Sequence, residues 1–174
     1  MTVHVVGAGM AGLSAAFTLT RAGVPVVVHE SAARAGGRCC SFFDKRLNAV
    51  IDAGTHLMLG ANTALLAMLA ECPTRTPLKN AGTKMLFFRK DGTRFEIDTA
   101  RPLSAAAHLP ELYPLLCESV MNTPARQADA TMFLKTAAKC FGAKNGAVYL
   151  ADPSLRDSVV APVEQYLKQR GVAF

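Results

Sequence analysis

Gly7-Ala8-Gly9-Met10-Ala11-Gly12 follows directly on the β-branched run Val3-His4-Val5-Val6 and leads into Leu13-Ser14-Ala15-Ala16-Phe17-Thr18-Leu19-Thr20-Arg21-Ala22. The first run predicts a strand, the glycines a tight turn, and the last segment a helix stopped by Gly23. Pro25 opens a second strand, Val26-Val27-Val28-His29, which ends at Glu30, eighteen residues beyond Gly12. Together these make a βαβ unit of about thirty residues, the setting in which G-x-G-x-x-G reads as a dinucleotide-binding fingerprint.

Each glycine has its own physical reason. Gly7 allows the tight turn, Gly9 lets the backbone approach a pyrophosphate, and Gly12 lets the helix pack against the strand. The first helical turn, which contains Ala11, presents unsatisfied N–H groups and the positive end of the helix dipole to the phosphates. Glu30 is placed to accept hydrogen bonds from a ribose hydroxyl, and its charge would repel a 2′-phosphate, which argues against NADP. The competing reading is a glycine-rich turn in some other α/β protein. The spacing of strand, helix, second strand and acid favours the dinucleotide, although the fingerprint alone does not separate NAD from FAD.

Arg34-Ala35-Gly36-Gly37-Arg38, just after Glu30, resembles the second glycine motif of the FAD-dependent amine oxidase and carotenoid desaturase superfamily. The resemblance implies FAD, with Gly36, Gly37 and Arg38 beside its phosphates and ribose. An arginine suits that place, since its fork neutralises phosphate while bonding it bidentately. Further on, Asp52-Ala53-Gly54-Thr55-His56 and Gly60-Ala61 resemble the Asp-x-Gly-x-His and Gly-Ala stretch of the hydroxysqualene dehydroxylases, also called squalene-associated FAD-dependent desaturases. Thr55 and Asn62 depart from the residues commoner there. The similarity resumes at Pro114-Leu115-Leu116-Cys117 and Asn122-Thr123-Pro124, where that family shows a Pro-Leu-Cys segment ending in Asn-Thr-Pro.

This resemblance implies Gly54 as a further cofactor contact and a polyisoprenoid lipid substrate. The hydroxyl of hydroxysqualene would be replaced by hydrogen to give squalene for hopanoid or sterol-like lipids, with reduced flavin supplying the hydride. No catalytic residue is assigned. His56 is the one candidate, because an imidazole can deliver a proton to a departing hydroxyl; the blander reading, a ring bonded to backbone or packed beside the flavin, is preferred. Asp52 reads as a turn cap, and Cys117 as a packing residue.

The fold class is therefore α/β: a Rossmann-type FAD-binding βαβ domain with a partial α+β substrate domain. Residues 1–76 form the cofactor part, 77–152 the partial substrate domain, and 153–174 the start of the return to the cofactor domain. Within them the sequence predicts a strand over Leu47–Ile51 and a helix over Asn62–Ala70 capped by Asn62. A hairpin of Lys84–Arg89 with Thr93–Ile97 turns at Lys90-Asp91-Gly92, and helices run from Leu109, over Ala130–Phe141 and over Val159–Arg170. Four successive apolar residues, Met85 to Phe88, imply a strand buried on both faces. The stretch between Ile97 and Leu112 looks shortened. No counterpart of the family's second flavin-binding segment is visible, so the chain reads as an N-terminal fragment or shortened form, inactive alone. The alternatives are a carotenoid desaturase or amine oxidase-like flavoenzyme, and a non-catalytic remnant with a dinucleotide-binding fold.

Charge narrows the partners. Nineteen Lys and Arg against thirteen Asp and Glu give +6, but the basic residues are scattered, which argues against nucleic acid. Five cysteines with no CxxC spacing argue against a disulfide scaffold or a structural metal, and fit a cytoplasmic protein. Thr2 to Thr20 carries no formal charge, yet its glycines and the lack of a preceding basic residue argue against a leader or a membrane span. Positive charge with an apolar substrate implies peripheral contact with the inner face of the membrane. By calorimetry the protein should bind FAD more tightly than NADP, and Glu30→Ala should weaken ADP binding. Tighter NADP binding, or unchanged ADP affinity in the variant, would contradict the cofactor reading.

Overall fold

The computed structural model describes residues 1–54, 56–73 and 78–174. The chain divides into two compact units. The first comprises Met1–Leu57, Thr63–Lys79 and Leu150–Phe174, and the second Met58–Asn62 and Asn80–Tyr149. The expected boundary between residues 76 and 77 falls outside the described residues, as does Thr55.

In the first unit, β1 (Val3–Val6) pairs in parallel with β2 (Val26–His29), Val3 opposite Val26 and Val6 opposite His29. Helix α1 (Met10–Arg21) makes the crossover. Gly23, at φ +74°, turns the chain out of it while the Val24 N–H donates back to the Leu19 carbonyl at 3.0 Å. On the far side of β2, Val28 donates to the Ala173 carbonyl at 2.8 Å, so the C-terminal residues enter the sheet as a third parallel partner.

Strand periodicity sets the core. Val26 and Val28 of β2 turn inward onto Leu13, Ala16 and Phe17 of α1, Met68 of α2 (Thr63–Ala70), and Val163, Tyr166 and Leu167 of α6 (Ala161–Gln169). Phe17 and Tyr166 pack ring to ring, their centroids 4.6 Å apart. The predicted α-helical start at Val159 is instead a π-helical turn, Arg156–Val160, closed by the Ala161 N–H on the Arg156 carbonyl. Pro162 has no N–H to continue an α-helical ladder from that turn, which accounts for the wider one.

A hairpin of β3 (Ser41–Asp44) and β4 (Ala49–Asp52) completes the unit. The sequence reading missed β3 and began β4 two residues early. Leu47 lies in the turn, where Asp44 Oδ1 accepts the N–H groups of Arg46 and Leu47 at 2.8 and 2.9 Å. A carboxylate bonding its own downstream backbone is turn chemistry, and here it ends the strand.

The second unit holds a three-stranded sheet ordered β5 (Met58–Leu59), β9 (Val148–Leu150), β6 (Lys79–Gly82), and the antiparallel hairpin β7 (Lys84–Phe88) with β8 (Arg94–Asp98). Helices α3 (Pro102–Ala106), α4 (Leu109–Met121) and α5 (Ala130–Cys140) follow the hairpin. The expectation that Met85–Phe88 is buried on both faces is wrong. Met85 and Phe87 pack with Phe95 and Ile97 onto Leu112 and Leu116, whereas Leu86 and Phe88 are 49% and 71% exposed. An antiparallel hairpin has one covered face, so the alternation of the pleat overrides the apolar run. Arg89 fastens the hairpin to α4 by a two-pronged pair with Glu111, Nε–Oε1 2.9 Å and Nη2–Oε2 3.1 Å. Asn62 precedes α2 as expected, but its Oδ1 accepts the Leu59 N–H at 2.8 Å, closing the turn behind it instead of capping the helix ahead. Asn122 ends α4 in the left-handed region at φ +50°, and Cys117 is fully buried. Among the described residues no helix is long and apolar enough to cross a membrane.

Leu167 is fully buried, so Leu167→Ala should cost about 2–5 kcal/mol of unfolding free energy. Phe88→Ala, on the uncovered face, should cost no more than about 0.5 kcal/mol. Urea unfolding of the two variants checks the pair, and a reversed ranking would contradict the assignment of faces.

Candidate functional site

The first glycine turn closes the β1–β2 ladder. The Gly7 N–H donates to the His29 carbonyl at 2.6 Å, and Gly7 then adopts φ +93°, open to glycine alone at low cost. A Cβ on Gly12 would lie 1.8 Å from the Gly7 carbonyl oxygen and 3.3 Å from Val5 Cγ1, so this position is what lets α1 sit down on β1. A Cβ on Gly9 would meet nothing within 4 Å. The backbone there faces open space. Leu13 is the first residue of α1 whose N–H finds a carbonyl of the turn, that of Gly9 at 2.9 Å, so the preceding amides of Met10, Ala11 and Gly12 have no intrahelical acceptor. No acidic residue stands in that first turn.

The second glycine motif lies against the first. The Gly36 N–H donates to the Ala8 carbonyl at 2.8 Å, and Gly36 and Gly9 form a parallel bridge. Gly37, at φ +57°, comes so close that a Cβ would be 3.2 Å from Gly9 Cα. Two segments some 27 residues apart in the sequence thus form one ledge of bare backbone beside the α1 N-terminus. Arg38 is exposed at its end.

Glu30 stands at the same turn with its carboxylate directed at the backbone. Oε2 accepts the Ala8 N–H at 2.7 Å, and Oε1 accepts the Ala32 N–H at 2.9 Å and the Ser31 hydroxyl at 3.4 Å. The Ala32 and Ala8 donors hold the carboxyl below its ordinary value of 4.5. Sequence reasoning offered this carboxylate to a ribose. The structure adds a prior duty, bracing the turn, and Oε2, with one donor, keeps a lone pair for a hydroxyl.

His56 Nδ1 lies 2.7 Å from the Gly54 carbonyl oxygen, and the ring is exposed. A carbonyl only accepts, so Nδ1 carries the hydrogen, and the neutral ring leaves Nε2 as an acceptor; it donates from Nε2 only as an imidazolium. Asp52 is not a local turn cap. Its Oδ1 accepts the Ser41 hydroxyl at 2.6 Å and the Leu155 N–H at 3.0 Å, joining the β3–β4 hairpin to the return segment. The residues around Leu155 carry no local signal of this pairing, since Asp52 and Leu155 stand 103 positions apart. Among the described residues no group of three or more His, Cys, Asp or Glu is arranged to hold a metal ion.

Comparison with known proteins gives this ledge its context. Residues 10–160 match the flavin containing amine oxidoreductase family. The chain belongs to that family. It is 30% identical to the hydroxysqualene dehydroxylase of Zymomonas mobilis over 97% of this chain and 51% of that protein. It is 57% identical to the hydroxysqualene dehydroxylase of Rhodopseudomonas palustris over 63 residues, 36% of this chain and 15% of that one. Against the zeta-carotene desaturase of Arabidopsis thaliana it is 32% identical over 108 residues, 62% of this chain and 19% of that protein. The fold is shared with an oxidoreductase from Methanosarcina mazei, at TM-score 0.71 and 14% identity over 99% of this chain and 50% of that one. The chain thus spans about half the length of the Zymomonas protein and of that structure.

The family is one of flavin containing oxidoreductases, and the ledge suits FAD as the flavin. Bare backbone faces open space at Gly9, with free helix N–H groups beside it and no carboxylate in the first turn of α1 to repel a phosphate. The 213-position alignment with the Zymomonas protein is longer than this 174-residue chain, so that relative carries extra residues inside the matched region.

Glu30 sets a pH test. Its folded value lies below 4.5, so its bonds contribute stability that is complete above that value and lost as pH falls through the folded pKa. Glu30→Gln should flatten the acid side of the stability curve, measured by urea unfolding from about pH 3 to 7. Identical curves for variant and wild type would contradict the bracing role.

Proposed function

We propose that this chain is the cofactor-gripping half of a flavin enzyme that removes the hydroxyl of hydroxysqualene. One observation carries the cofactor assignment: the Gly9–Gly36 bridge, which sets both glycine motifs beside the free first turn of α1. In this reading Gly7, Gly9, Ala11 and Gly12 form the pyrophosphate turn, and Gly36, Gly37 and Arg38 flank the phosphates and ribose. Glu30 takes a ribose hydroxyl with the remaining lone pair of Oε2, and Gly54 borders the site. The likeness to hydroxysqualene dehydroxylases along nearly the whole chain supports the substrate class.

Replacing a hydroxyl by hydrogen needs a hydride at carbon, which reduced FAD supplies when bound, and a proton with which the hydroxide leaves as water. The chain contributes grip and orientation, since hydride transfer requires a donor held at near-attack distance. No residue is assigned to deliver that proton; the candidate His56, bonded to the Gly54 carbonyl through Nδ1, would donate from Nε2 only as an imidazolium. A polyisoprenoid substrate travels in lipid, and peripheral contact of a +6 chain with an anionic bilayer would serve its delivery. The likeness to zeta-carotene desaturase favours a second reading in which the site removes hydrogen from a carotenoid.

A complete relative carrying this N-terminal part, supplied with FAD, a reductant and hydroxysqualene, should release squalene, while the 174-residue chain alone should be colourless and inactive. A carotenoid oxidised with hydroxysqualene untouched would select the desaturase, and turnover by the 174-residue chain alone would refute the half-site reading.

A further inference from the structure

The second glycine motif is held at Gly36 by the Ala8 carbonyl, and a second hold, on the residue before it, comes from the other end of the chain. Ala35, immediately before Gly36, is 7% exposed, and its carbonyl needs a donor. That donor is Arg156, whose Nη1 lies 3.3 Å from the Ala35 oxygen. The other arm of the fork, Nη2, lies 3.5 Å from Glu164 Oε2. The Arg156 backbone is fixed too: its N–H donates to Ser41 Oγ at 3.1 Å, and Ser41 donates to Asp52 at 2.6 Å. Arg156 opens the π-helical turn whose last residue, Val160, lies within 3.3 Å of a Cβ placed on Gly36. One turn of the return segment therefore meets the glycine motif twice, by a hydrogen bond at Ala35 and by packing at Gly36.

We infer that Arg156 is a positioning residue for the cofactor site: it binds no cofactor itself but holds the Ala35 carbonyl, and through it sets where the Gly36 and Gly37 amides stand against Gly9. The guanidinium suits the task because its planar fork serves Ala35 and Glu164 together. A lysine, with a single ammonium on a flexible stem, would hold one partner less well. The inference rests on the ledge being the FAD site, but its first consequence is free of any cofactor.

Hydrogen exchange by mass spectrometry on the full chain reads that consequence. Arg156→Ala should speed exchange of the Gly36 amide, which the Ala8 carbonyl protects, while leaving the amides of α1 unchanged, with Arg156→Lys in between. Unchanged exchange at Gly36 would overturn the inference. Should Arg156→Ala fail to fold, Glu164→Ala, which removes one partner of the fork, takes its place, and equal exchange in Glu164→Ala and Arg156→Lys to that of wild type overturns it as well. Calorimetry then tests positioning against mere support: Arg156→Ala should weaken ADP binding about tenfold, the scale of one charge-assisted hydrogen bond, with partial rescue by lysine. Faster exchange with unchanged ADP affinity would leave Arg156 a structural residue and sink the positioning role. If the wild-type chain binds no ADP, the cofactor reading fails, and exchange alone decides what Arg156 holds.

Discussion

The peptide of Ala8 is where the two glycine motifs are joined. Its N–H is taken by Glu30 from the end of β2 and its carbonyl by Gly36 from the second glycine motif, while its side chain is fully buried. These two bonds give three separate segments one geometry. The turn cannot shift without breaking a carboxylate bond, and the second motif cannot leave without orphaning a buried carbonyl. Such bonds contribute little net free energy each but are expensive to leave unmade, which makes them good at fixing position.

That junction is useful because of what surrounds it. Gly12 removes the side chain that would keep α1 off β1, so the free N–H groups of the helix arrive beside Gly9. The core of Leu13, Ala16, Phe17, Val163, Tyr166 and Leu167 sits beneath and keeps the helix from rocking. In the proposed reading a dinucleotide then meets only backbone at the centre of the ledge, with Arg38 exposed at its edge. The second unit follows a different logic. Its hairpin is anchored on one face by apolar packing and the Arg89–Glu111 pair, and leaves Leu86 and Phe88 on the other uncovered.

Local chemistry was legible in the sequence, and long-range chemistry was not. The βαβ unit could be read because every step of it, Gly7, Gly12, Gly23 and the alternating valines, is enforced within a few residues. The apolar run Met85–Phe88 misled because strand exposure depends on what covers each face, which a run of four residues does not encode. Strand β3 was missed because Ser41–Asp44 is short and its turn is built by Asp44, not by the usual glycine. Asp52 was read as a turn cap because its partners, Ser41 and Leu155, come together only in the folded chain. Arg156 was invisible for the same reason, standing 121 positions from the carbonyl it serves.

The most direct test of the ledge as the seat of the ADP half of FAD is an amide chemical-shift titration of the full chain with ADP. The account expects the largest shifts at Gly9, Met10, Ala11, Gly37 and Arg38, saturating together, with the hairpin of the second unit silent. Saturable binding whose shifts lie elsewhere, or no shift at these amides at millimolar ADP, would contradict it.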